Sequence, residues 1–360
     1  MKELANNQLR KIRIKGFKTI RECDLDLGRI NVLIGSNGAG KSNFISVFEM
    51  LQSILSQDLS LYVGVKGRNS LFCKGTKVTN AIETEVFFGN NSYGFKLIPS
   101  SGSGVTFADE YFGYEGTRTT ISKGQTESLW RNGCGNKISD YVIPILEAQN
   151  WRVYHFHDTG AQARVKQEHN IVNSASLMGD AGNLAAYLLR LKMNYPKSYN
   201  KIISTINLVA PYFDDFVLEP NEYNKDLIFL KWKQRGIDDV FTANQMSDGT
   251  LRFACLATLL LQPKELMPAT IIIDEPELGL HPFAITLLAE MMQSTATSKQ
   301  LIVSTQSAQL LDCFDAEDVI VVDRENDETV FSRLDAEKLK IWLDDDYTLG
   351  ELWQRNALGV

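Results

Sequence analysis

The segment that most restricts the fold of this 360-residue chain is GSNGAGKS at positions 35–42. It follows an apolar run predicted to be a strand, Ile30–Ile34, and it precedes Ser42–Leu55, whose apolar residues recur with helical spacing. Glycines let the backbone curl so that successive N–H groups point at phosphate oxygens, and the following helix adds the positive end of its dipole. A strand, a glycine loop and a helix in this order predict a nucleotide site.

The residues of this loop have separate expected roles around a triphosphate. Lys41 is predicted to bring a positive charge to the β- and γ-phosphates and to take part in catalysis, and the Ser42 hydroxyl is predicted to ligate Mg²⁺. The predicted nucleotide-binding residues of the loop are Gly35, Asn37, Gly38, Gly40, Lys41, Ser42 and Asn43.

A second motif, IIIDEP at 271–276, ends a buried apolar strand in two acids. Parallel sheets bind ligands at the carboxyl ends of their strands, so these carboxylates are expected near the glycine loop. Asp274 is predicted to hold Mg²⁺, which prefers oxygen ligands. Glu275 is predicted to orient or deprotonate the attacking water. Together the two motifs predict a nucleotide site that holds Mg²⁺ and positions a water to attack a phosphate.

A third motif, MSDGT at 246–250, opens a predicted helix over Thr250–Leu261. Ser247 and Gly249 at a helix start can bind an anion, although an ordinary helix cap accounts for the same residues. The anion-site interpretation is favoured because the motif lies 27 residues before Asp274, with a helix between them.

Two histidines, His155 and His157, stand two residues apart, a spacing that places both on one face of a strand. Histidines so placed can ligate a metal, but no third or fourth ligand at a suitable spacing is visible in the sequence. A purely structural strand is therefore the favoured interpretation.

Composition excludes several classes of protein. The fractions of hydrophobic and charged residues, 44% and 22%, are those of a globular chain. The longest apolar runs, such as Leu256–Leu261, are too short to span a membrane, and the polar N-terminus lacks the apolar core of a secretory signal. A soluble, cytoplasmic protein with no membrane partner is predicted. The five scattered cysteines form no CxxC pair, which predicts reduced, mostly buried thiols.

The formal net charge of −7 gives no general attraction to nucleic acid, yet the first 21 residues are basic. A local basic surface can bind phosphate backbones, whereas a solvated strand face explains the same pattern and is favoured. This segment contains one acid, Glu3, and seven basic residues: Lys2, Arg10, Lys11, Arg13, Lys15, Lys18 and Arg21.

Apolar patterning elsewhere predicts a core of alternating helices and strands with β-rich insertions, and residues 60–150 are predicted to form antiparallel hairpins. The further predicted strands are residues 9–20, Asp24–Leu27, Ile82–Phe88, Ser92–Ile98, Leu227–Lys233, Ala269–Ile273 and Leu301–Ser304. The further predicted helical stretches are Leu177–Val209 and Pro282–Gln293.

Together the motifs resemble the ABC-type ATPases, in particular the branch that contains RecF, SMC and OLD-like heads. The resemblance is carried by the loop continuing as Lys41-Ser42-Asn43, by MSDGTLR, by DEPELGLHP and by the opening IRIKGFKTI. It extends through WRVYHFHDTG, DAGNLAAYLLRL and LGELW, and within the branch the chain looks like the small ATPases that have a RecF-like head and no coiled coil.

The resemblance implies an α/β fold, an ABC-type P-loop NTPase head with a β-rich N-terminal lobe and a helical lobe between the glycine loop and the signature motif. The expected division is 1–150 for the lobe with the glycine loop and the β-rich insertion, and 151–240 for a mixed, helical lobe. Residues 241–325 are expected to complete the ATPase core, and 326–360 to form a tail packed on it.

In such proteins two heads enclose two ATP molecules, so the resemblance implies a homodimer formed through ATP, with higher oligomers open. Ser247 and Gly249 are then expected to contact the γ-phosphate held by the partner, and Leu278–His281 to signal between the two sites. Gln306 stands where many ABC ATPases carry a switch histidine. A glutamine can position a phosphate or a water but cannot titrate near neutral pH, so slow turnover is expected.

The glutamine that such heads carry after the first helix is left unassigned, although Gln52 and Gln57 lie nearby. In function, the resemblance implies a switch that acts on DNA, or with a separately encoded nuclease or toxin, in DNA repair or antiviral defence. The alternative is a nucleotide-gated regulatory or scaffold ATPase without direct DNA binding.

Other classes fit less well. The 54 residues after Gln306 are expected to be too few for the Toprim domain of an OLD nuclease, and the 206 residues between Lys41 and Ser247 leave no room for a long coiled-coil rod. MSDGT differs from the LSGGQ-like signature of transporter subunits. The presence of Lys41, Ser42, Asp274 and Glu275 disfavours an inactive pseudo-ATPase.

Overall fold

Two six-stranded β-sheets organise the part of the chain that the computed structural model describes, residues 4–135, 137–147, 150–344 and 347–358. The first sheet has the order β2-β1-β4-β5-β6-β7, and every neighbouring pair in it is antiparallel. Its strands are β1 (Leu9–Phe17), β2 (Ile20–Asp26), β4 (Ile82–Phe88), β5 (Asn91–Pro99), β6 (Val105–Tyr114) and β7 (Thr117–Ser122).

The second sheet has the order β17-β16-β3-β15-β14-β8 and is parallel except for its antiparallel edge strand β17. It is called the core sheet here, and it draws strands from each of the four predicted segments. Its strands are β3 (Ile30–Ile34), β8 (Trp151–Tyr154), β14 (Thr270–Asp274), β15 (Gln300–Thr305), β16 (Val319–Glu325) and β17 (Glu328–Arg333).

Helices cover both faces of the core sheet, and two small sheets, β10-β12-β13 and β11-β9, complete the described residues. The helices are α1 (Lys41–Leu55), α2 (Leu59–Lys66), α3 (Arg68–Leu71), α4 (Lys137–Glu147), α5 (Leu184–Asn194), α6 (Pro196–Val209), α7 (Asp248–Leu261), α8 (Pro282–Ala296), α9 (Ala308–Leu311), α10 (Ala336–Asp344) and α11 (Leu349–Gln354). The small-sheet strands are β9 (His169–Asn170), β10 (Phe213–Val217), β11 (Leu227–Ile228), β12 (Lys231–Gln234) and β13 (Val240–Thr242).

Alternate residues of the core strands enter two different hydrophobic cores. In β14, Ile272 packs into the core shared with α1 and the antiparallel sheet, whereas Ile271 and Ile273 pack into the core formed with α5 to α8. A strand buried on both faces needs apolar residues at every position, which explains the uninterrupted run that ends at Asp274.

Several predicted elements have different bounds in the structure. The predicted helical stretch Leu177–Val209 begins as a helix only at Leu184 and is interrupted at Tyr195, because Pro196 starts a new helix. The predicted strand Leu227–Lys233 is two short strands that pair in different sheets. The predicted hairpin of β4 and β5 is confirmed, but the region 60–150 also contains α2, α3 and α4.

The order of the core sheet decides where the motifs meet. Strands β3, β15 and β14 are parallel neighbours, with Thr305 in register with Ile34 and Ser304 in register with Asp274. The three strands therefore end at the same edge of the sheet. The glycine loop, the acidic pair and Gln306 leave the sheet side by side.

No disulfide joins the cysteines, in agreement with the prediction from their spacing; Cys23, Cys73 and Cys255 are buried, and Cys134 and Cys313 are half-buried. Within the described residues, every helix is too short or too polar to cross a membrane.

Candidate nucleotide site

The glycine loop has backbone conformations that require glycine. Gly40 has a φ of +117°, and a β-carbon there would collide with the Thr329 side chain of β17. Gly38 has a φ of +81°, and the space where its β-carbon would stand is open. Ser36, Asn37 and Gly38 are exposed, so the loop presents its backbone to solvent, where a phosphate can reach it.

The ammonium group of Lys41 is folded back on the loop. Its Nζ donates hydrogen bonds to the carbonyl oxygens of Gly35, at 2.7 Å, and of Ser36, at 3.1 Å. Burial lowers the pKa of Lys41, while the nearby carboxylates of Glu275 and Asp274 act to raise it. The group is thus a cation held between the loop and the acids.

A chain of hydroxyl groups supports the loop from outside the motif. Thr329 donates a hydrogen bond to the carbonyl oxygen of Ala39 at 2.9 Å, and its Oγ1 lies 2.6 Å from the Oγ1 of Thr19. The Asn43 amide donates to Thr19 at 2.7 Å. Both threonines lie outside the motif, and no local pattern in the sequence marks them as part of the site.

The acids at the end of β14 are held by β15. The Ser304 hydroxyl donates a hydrogen bond to Oδ1 of Asp274. Burial acts to raise the pKa of Asp274, but interactions with His157, Ser304 and His155 outweigh it and lower the pKa. This carboxylate stays ionised at neutral pH and is a suitable cation ligand.

Glu275 adopts a left-handed backbone conformation, with a φ of +39°. Its N–H donates to the carbonyl oxygen of Ser304 at 2.9 Å, and its Oε1 accepts a hydrogen bond from the Gln306 side-chain amide. A non-glycine residue in this conformation costs about 1–3 kcal/mol, and such strain is concentrated at functional sites. The structure thus brings together Glu275 and Gln306, two of the predicted catalytic residues.

Glu277 is a further acid at the site, outside the residues that the motifs predicted. Its Oε1 accepts hydrogen bonds from the Thr305 hydroxyl at 2.6 Å and from the Gln306 N–H at 3.1 Å. Its Oε2 is buried and has no hydrogen-bond partner among the described residues. Burial raises the pKa of Glu277. The only sequence signal was its place in the acidic run after Asp274.

Ser247 caps α7 and is exposed. Its Oγ accepts a hydrogen bond from the Thr250 N–H at 3.2 Å and donates one to the Thr250 hydroxyl at 2.7 Å. A β-carbon on Gly249 would lie 2.8 Å from the carbonyl oxygen of Gly279. The signature motif therefore packs on the loop Leu278–His281. Among the described residues no hydrogen bond joins Ser247 to the glycine loop of its own chain.

Arg252, five residues after Ser247, connects the signature helix to the site. Its guanidinium donates hydrogen bonds to the carbonyl oxygens of Phe156 at 2.9 Å, of His157 at 3.0 Å and of Leu278. One buried side chain thereby joins α7, the segment after β8 and the loop after the acids. No spacing in the sequence pointed to this role.

The two histidines do not lie on a strand, so that prediction was wrong. Strand β8 ends at Tyr154, and His155 and His157 follow it as extended, irregular chain toward the site. They approach Oδ2 of Asp274, with Nδ1 of His155 at 3.7 Å and Nε2 of His157 at 3.9 Å. A third group of metal-ligating type, which was not visible in the sequence, is therefore Asp274, 117 residues beyond His157.

The two glutamines near the end of α1 bond to backbone. The Gln52 amide donates to the carbonyl oxygen of Trp151 at 3.1 Å, and the Gln57 amide donates to that of Ser128 at 3.2 Å. Both amides serve to fix neighbouring segments.

Three of the basic N-terminal residues are paired with acids on the adjacent strand. Lys11 and Arg13 contact Asp24 at 2.5 and 3.0 Å, and Lys15 contacts Glu22 at 2.8 Å. Three of the seven basic residues among the first 21 are thus neutralised by acids of β2. This pairing agrees with the interpretation as a solvated strand face.

Comparison with known proteins gives a family and a fold. A family model described as "AAA domain, putative AbiEii toxin, Type IV TA system" matches residues 30–111 and 132–312. The structure is similar to that of the SmcHead bound to the C-winged helix domain of ScpA, with a TM-score of 0.58 and 16% identity over 92% of this chain and 99% of that one. An Smc head from Pyrococcus furiosus, bound to the C-terminal domain of ScpA, is also similar in structure. The TM-score is 0.58 and the sequence identity 15%, over 94% of this chain and 99% of that one.

Two curated relatives have similar sequences. The chain is 24% identical to the Old nuclease of Escherichia phage P2, over 92% of this chain and 62% of that protein. It is also 24% identical, over 252 residues, to the structural maintenance of chromosomes protein 3 homolog of Plasmodium falciparum. That alignment covers 68% of this chain and 20% of the other protein. The chain thus spans between a fifth and about three fifths of the length of these relatives.

Proposed function

Because this chain belongs to the family described as AAA domain, putative AbiEii toxin, Type IV TA system, and has the fold of the SMC head, we propose that it is an ATP hydrolase whose ATP-bound heads dimerise as a switch. The observation that carries the proposal is the meeting of the glycine loop, Asp274, Glu275 and Gln306 at one edge of the core sheet.

In this proposal the exposed backbone of Ser36–Gly38 receives the triphosphate, and Lys41 exchanges its carbonyl acceptors for phosphate oxygens. Because Lys41 is buried, its electrostatic attraction for the phosphates is screened less by water. The proposed nucleotide-binding residues are Gly35, Asn37, Gly38, Gly40, Lys41, Ser42 and Asn43.

Hydrolysis in this proposal is an in-line attack of water on the γ-phosphorus, in which the bond to the β–γ bridging oxygen breaks and ADP leaves. Glu275 takes the proton of the attacking water. The Gln306 amide, which donates to Oε1 of Glu275, holds that carboxylate in place and cannot itself accept the proton.

The donor set fits a divalent cation. The Ser42 hydroxyl is exposed at the start of α1, and Asp274 is an ionised carboxylate whose Oδ2 is not used by Ser304. Both are oxygen ligands of the type that Mg²⁺ accepts. When bound, the cation neutralises charge on the phosphate oxygens, which favours attack by water.

Dimerisation in this proposal uses the exposed start of α7. Ser247 is exposed at the start of α7, where the first backbone N–H groups have no acceptor within the helix, and the adjacent loop carries an exposed Leu278. A helix start of this kind binds an anion. The γ-phosphate held by the glycine loop of the second copy would supply that anion, with Gly249 close by.

Nucleotide-dependent dimerisation tests this directly. With a non-hydrolysable ATP analogue and Mg²⁺, light scattering should report a dimer for the wild type and a monomer for Ser247→Arg, with nucleotide affinity unchanged. Ser60→Arg, at an exposed serine of α2, is the matched control and should still dimerise. Dimers of equal stability in all three proteins contradict the proposed interface.

Two further variants separate binding from hydrolysis. Lys41→Ala should abolish nucleotide binding, whereas Lys197→Ala on the exposed face of α6 should not. Glu275→Gln should bind ATP and accumulate as an ATP-bound dimer, while Glu290→Gln, exposed on α8, should turn over normally. Full activity of Glu275→Gln would exclude it as the base.

We propose that the switch acts on DNA or with a separately encoded nuclease or toxin, in DNA repair or defence against foreign DNA. The support is the similarity to a chromosome-maintenance protein, to a nuclease and to a toxin–antitoxin family. DNA binding by the ATP-bound dimer should weaken steeply as salt rises, because counterions are released from the phosphates.

The second candidate function is a regulatory or scaffold ATPase that does not bind DNA. The pairing of Lys11, Arg13 and Lys15 with acids favours it, since those cations are already neutralised. Fluorescence anisotropy at low salt distinguishes the two. Binding of duplex or single-stranded DNA by Glu275→Gln with ATP supports the first function, and its absence supports the second.

A further inference from the structure

The cluster of His155, His157 and Asp274 contains donors that a magnesium site does not use. The distances of 3.7 and 3.9 Å from the two imidazoles to Oδ2 of Asp274 are too long for hydrogen bonds. All three donor atoms nevertheless lie within 4.8 Å of one another. Two nitrogens and one oxygen thus lie close together without bonding to each other, at separations like those between ligands of a single metal ion.

Glu49 holds His155 in the tautomer that a metal requires. Its Oε1 lies 3.1 Å from Nε2 of His155, and a carboxylate can only accept, so Nε2 carries the proton. Nδ1 is then left with a free lone pair, and it is the nitrogen that faces Asp274. Metal-ligating histidines characteristically donate their other ring N–H to a carboxylate in this way.

The backbone that carries the histidines is fixed before any metal arrives. The His155 N–H donates to the carbonyl oxygen of Gly179 at 2.8 Å, and Arg252 binds the carbonyl oxygens of Phe156 and His157. Nδ1 of His157 is buried and has no hydrogen-bond partner among the described residues, and Nε2 is the nitrogen that faces Asp274. A rigid arrangement lowers the entropic cost of binding an ion.

We propose that His155, His157 and Asp274 bind one divalent transition-metal ion, of the class of Mn²⁺, Co²⁺ or Zn²⁺, in preference to Mg²⁺. Imidazole nitrogen suits these ions, whereas Mg²⁺ prefers oxygen ligands. Three protein ligands leave further positions for water or a phosphate oxygen. The inference rests on the proposed function in that Asp274 is also the carboxylate assigned there to the nucleotide's cation.

Cobalt binding by the full, nucleotide-free chain tests the proposal, because Co²⁺ bound to imidazole has visible absorption. After chelator treatment, equilibrium dialysis and absorption spectra should give one Co²⁺ per chain, retained against a large excess of Mg²⁺. His155→Gln and His157→Gln should each weaken the affinity at least about tenfold. His169→Gln removes an imidazole on β9 and should match the wild type.

A variant of Glu49, which contacts His155 but is not a proposed ligand, keeps the proposal testable if the histidine variants misfold. Glu49→Gln leaves all three ligands in place but weakens the acceptor for His155, so it should lower Co²⁺ affinity by a smaller factor. Wild-type Co²⁺ affinity and spectrum in both His155→Gln and His157→Gln overturn the proposal. So does the absence of Co²⁺ binding to the wild type, or its displacement by Mg²⁺ at comparable concentration.

Lys41→Ala distinguishes failure of this inference from failure of the proposed function. It should lose nucleotide binding and keep Co²⁺ binding, because Lys41 is not a metal ligand. A wild-type chain that binds Co²⁺ but no nucleotide refutes the proposed function alone. A chain that binds ATP with Mg²⁺ and ignores Co²⁺ refutes this inference alone.

Discussion

The side-chain amide of Gln306 donates a hydrogen bond to Oε1 of Glu275, across the gap between two neighbouring strands of the core sheet. The backbone of Glu275 is strained, and its N–H is bound by the same neighbouring strand, through Ser304. The proposed base is therefore positioned by β15 and by Gln306, whose side-chain amide cannot take up a proton near neutral pH.

Replacing Gln306 tests that positioning role. Gln306→Leu removes the donor, and kcat for ATP hydrolysis should fall about tenfold to a hundredfold, because a mispositioned base loses part of its contribution. The KM for ATP should change little, since within the described part of the chain the Gln306 amide bonds to Glu275 and makes no hydrogen bond to the glycine loop. Steady-state kinetics give both values, with Gln309→Leu as the control. A raised KM with unchanged kcat contradicts positioning.

The difference in stability between Glu277→Gln and the wild type should depend on pH. Burial raises its pKa above the ordinary value of 4.5, so its contribution to folding is complete below that value and is lost as the pH rises through the raised pKa. Gln cannot titrate but still accepts from Thr305 through Oε1. The Tm of Glu277→Gln relative to wild type should therefore rise as the pH increases from about 4 to about 8.

Differential scanning calorimetry at several pH values measures this change, with Glu290→Gln as an exposed control. A Tm difference that stays constant over the whole range would show that Glu277 does not have a raised pKa.

Gly249 and Gly64 should respond oppositely to the same substitution. In Gly249→Ala the new methyl group meets the Gly279 carbonyl, a backbone atom that cannot move aside, so the free energy of unfolding should fall by about 1–3 kcal/mol. In Gly64→Ala, on α2, the methyl group meets nothing within 4 Å and should stabilise by about 0.5–1 kcal/mol. Urea denaturation measures both.

Nucleotide-dependent dimerisation gives a second readout for the same pair. Gly249→Ala should weaken the dimer, because it displaces the start of α7 from the loop Leu278–His281, while Gly64→Ala should dimerise as the wild type does. A Gly249→Ala protein as stable as the wild type indicates that α7 and the loop are not in firm contact.

Arg252 should couple the signature helix to the histidine segment. Arg252→Lys keeps the charge but cannot reach three carbonyl oxygens with one ammonium group, so the free energy of unfolding should fall by about 2–3 kcal/mol. Loss of the bonds to Phe156 and His157 should also weaken Co²⁺ binding. Arg324→Lys on the exposed end of β16 is the control, and equal effects of both substitutions contradict the coupling.

The residue types within short contiguous segments were enough to predict the glycine loop and the acidic pair. Gly35–Ser42 is a contiguous segment whose conformation follows from glycine and from the flanking strand and helix, and Asp274 and Glu275 follow an uninterrupted apolar strand. Period-2 patterning likewise predicted the β4–β5 hairpin, because one face of each strand is apolar. These features depend on neighbours in the chain.

The sequence could not predict the contacts that join distant segments. Thr329 supports Ala39 across 290 residues, and His157 lies beside Asp274 across 117 residues, because β8, β14, β15 and β3 are ordered in space and not along the chain. The prediction that the histidines lie on a strand was wrong for the same reason. Where β8 ends depends on its pairing with the distant strand β14, and that pairing stops at Tyr154.

By itself the sequence determined that this chain holds a glycine loop between a strand and a helix, and a strand that ends in two acids, because short-range backbone geometry specifies both. Only the tertiary structure decided which side chains surround them. Parallel strands bring their carboxyl ends to one edge whatever their distance in sequence, so Gln306, Glu277 and the two histidines became neighbours of the acids through sheet order alone.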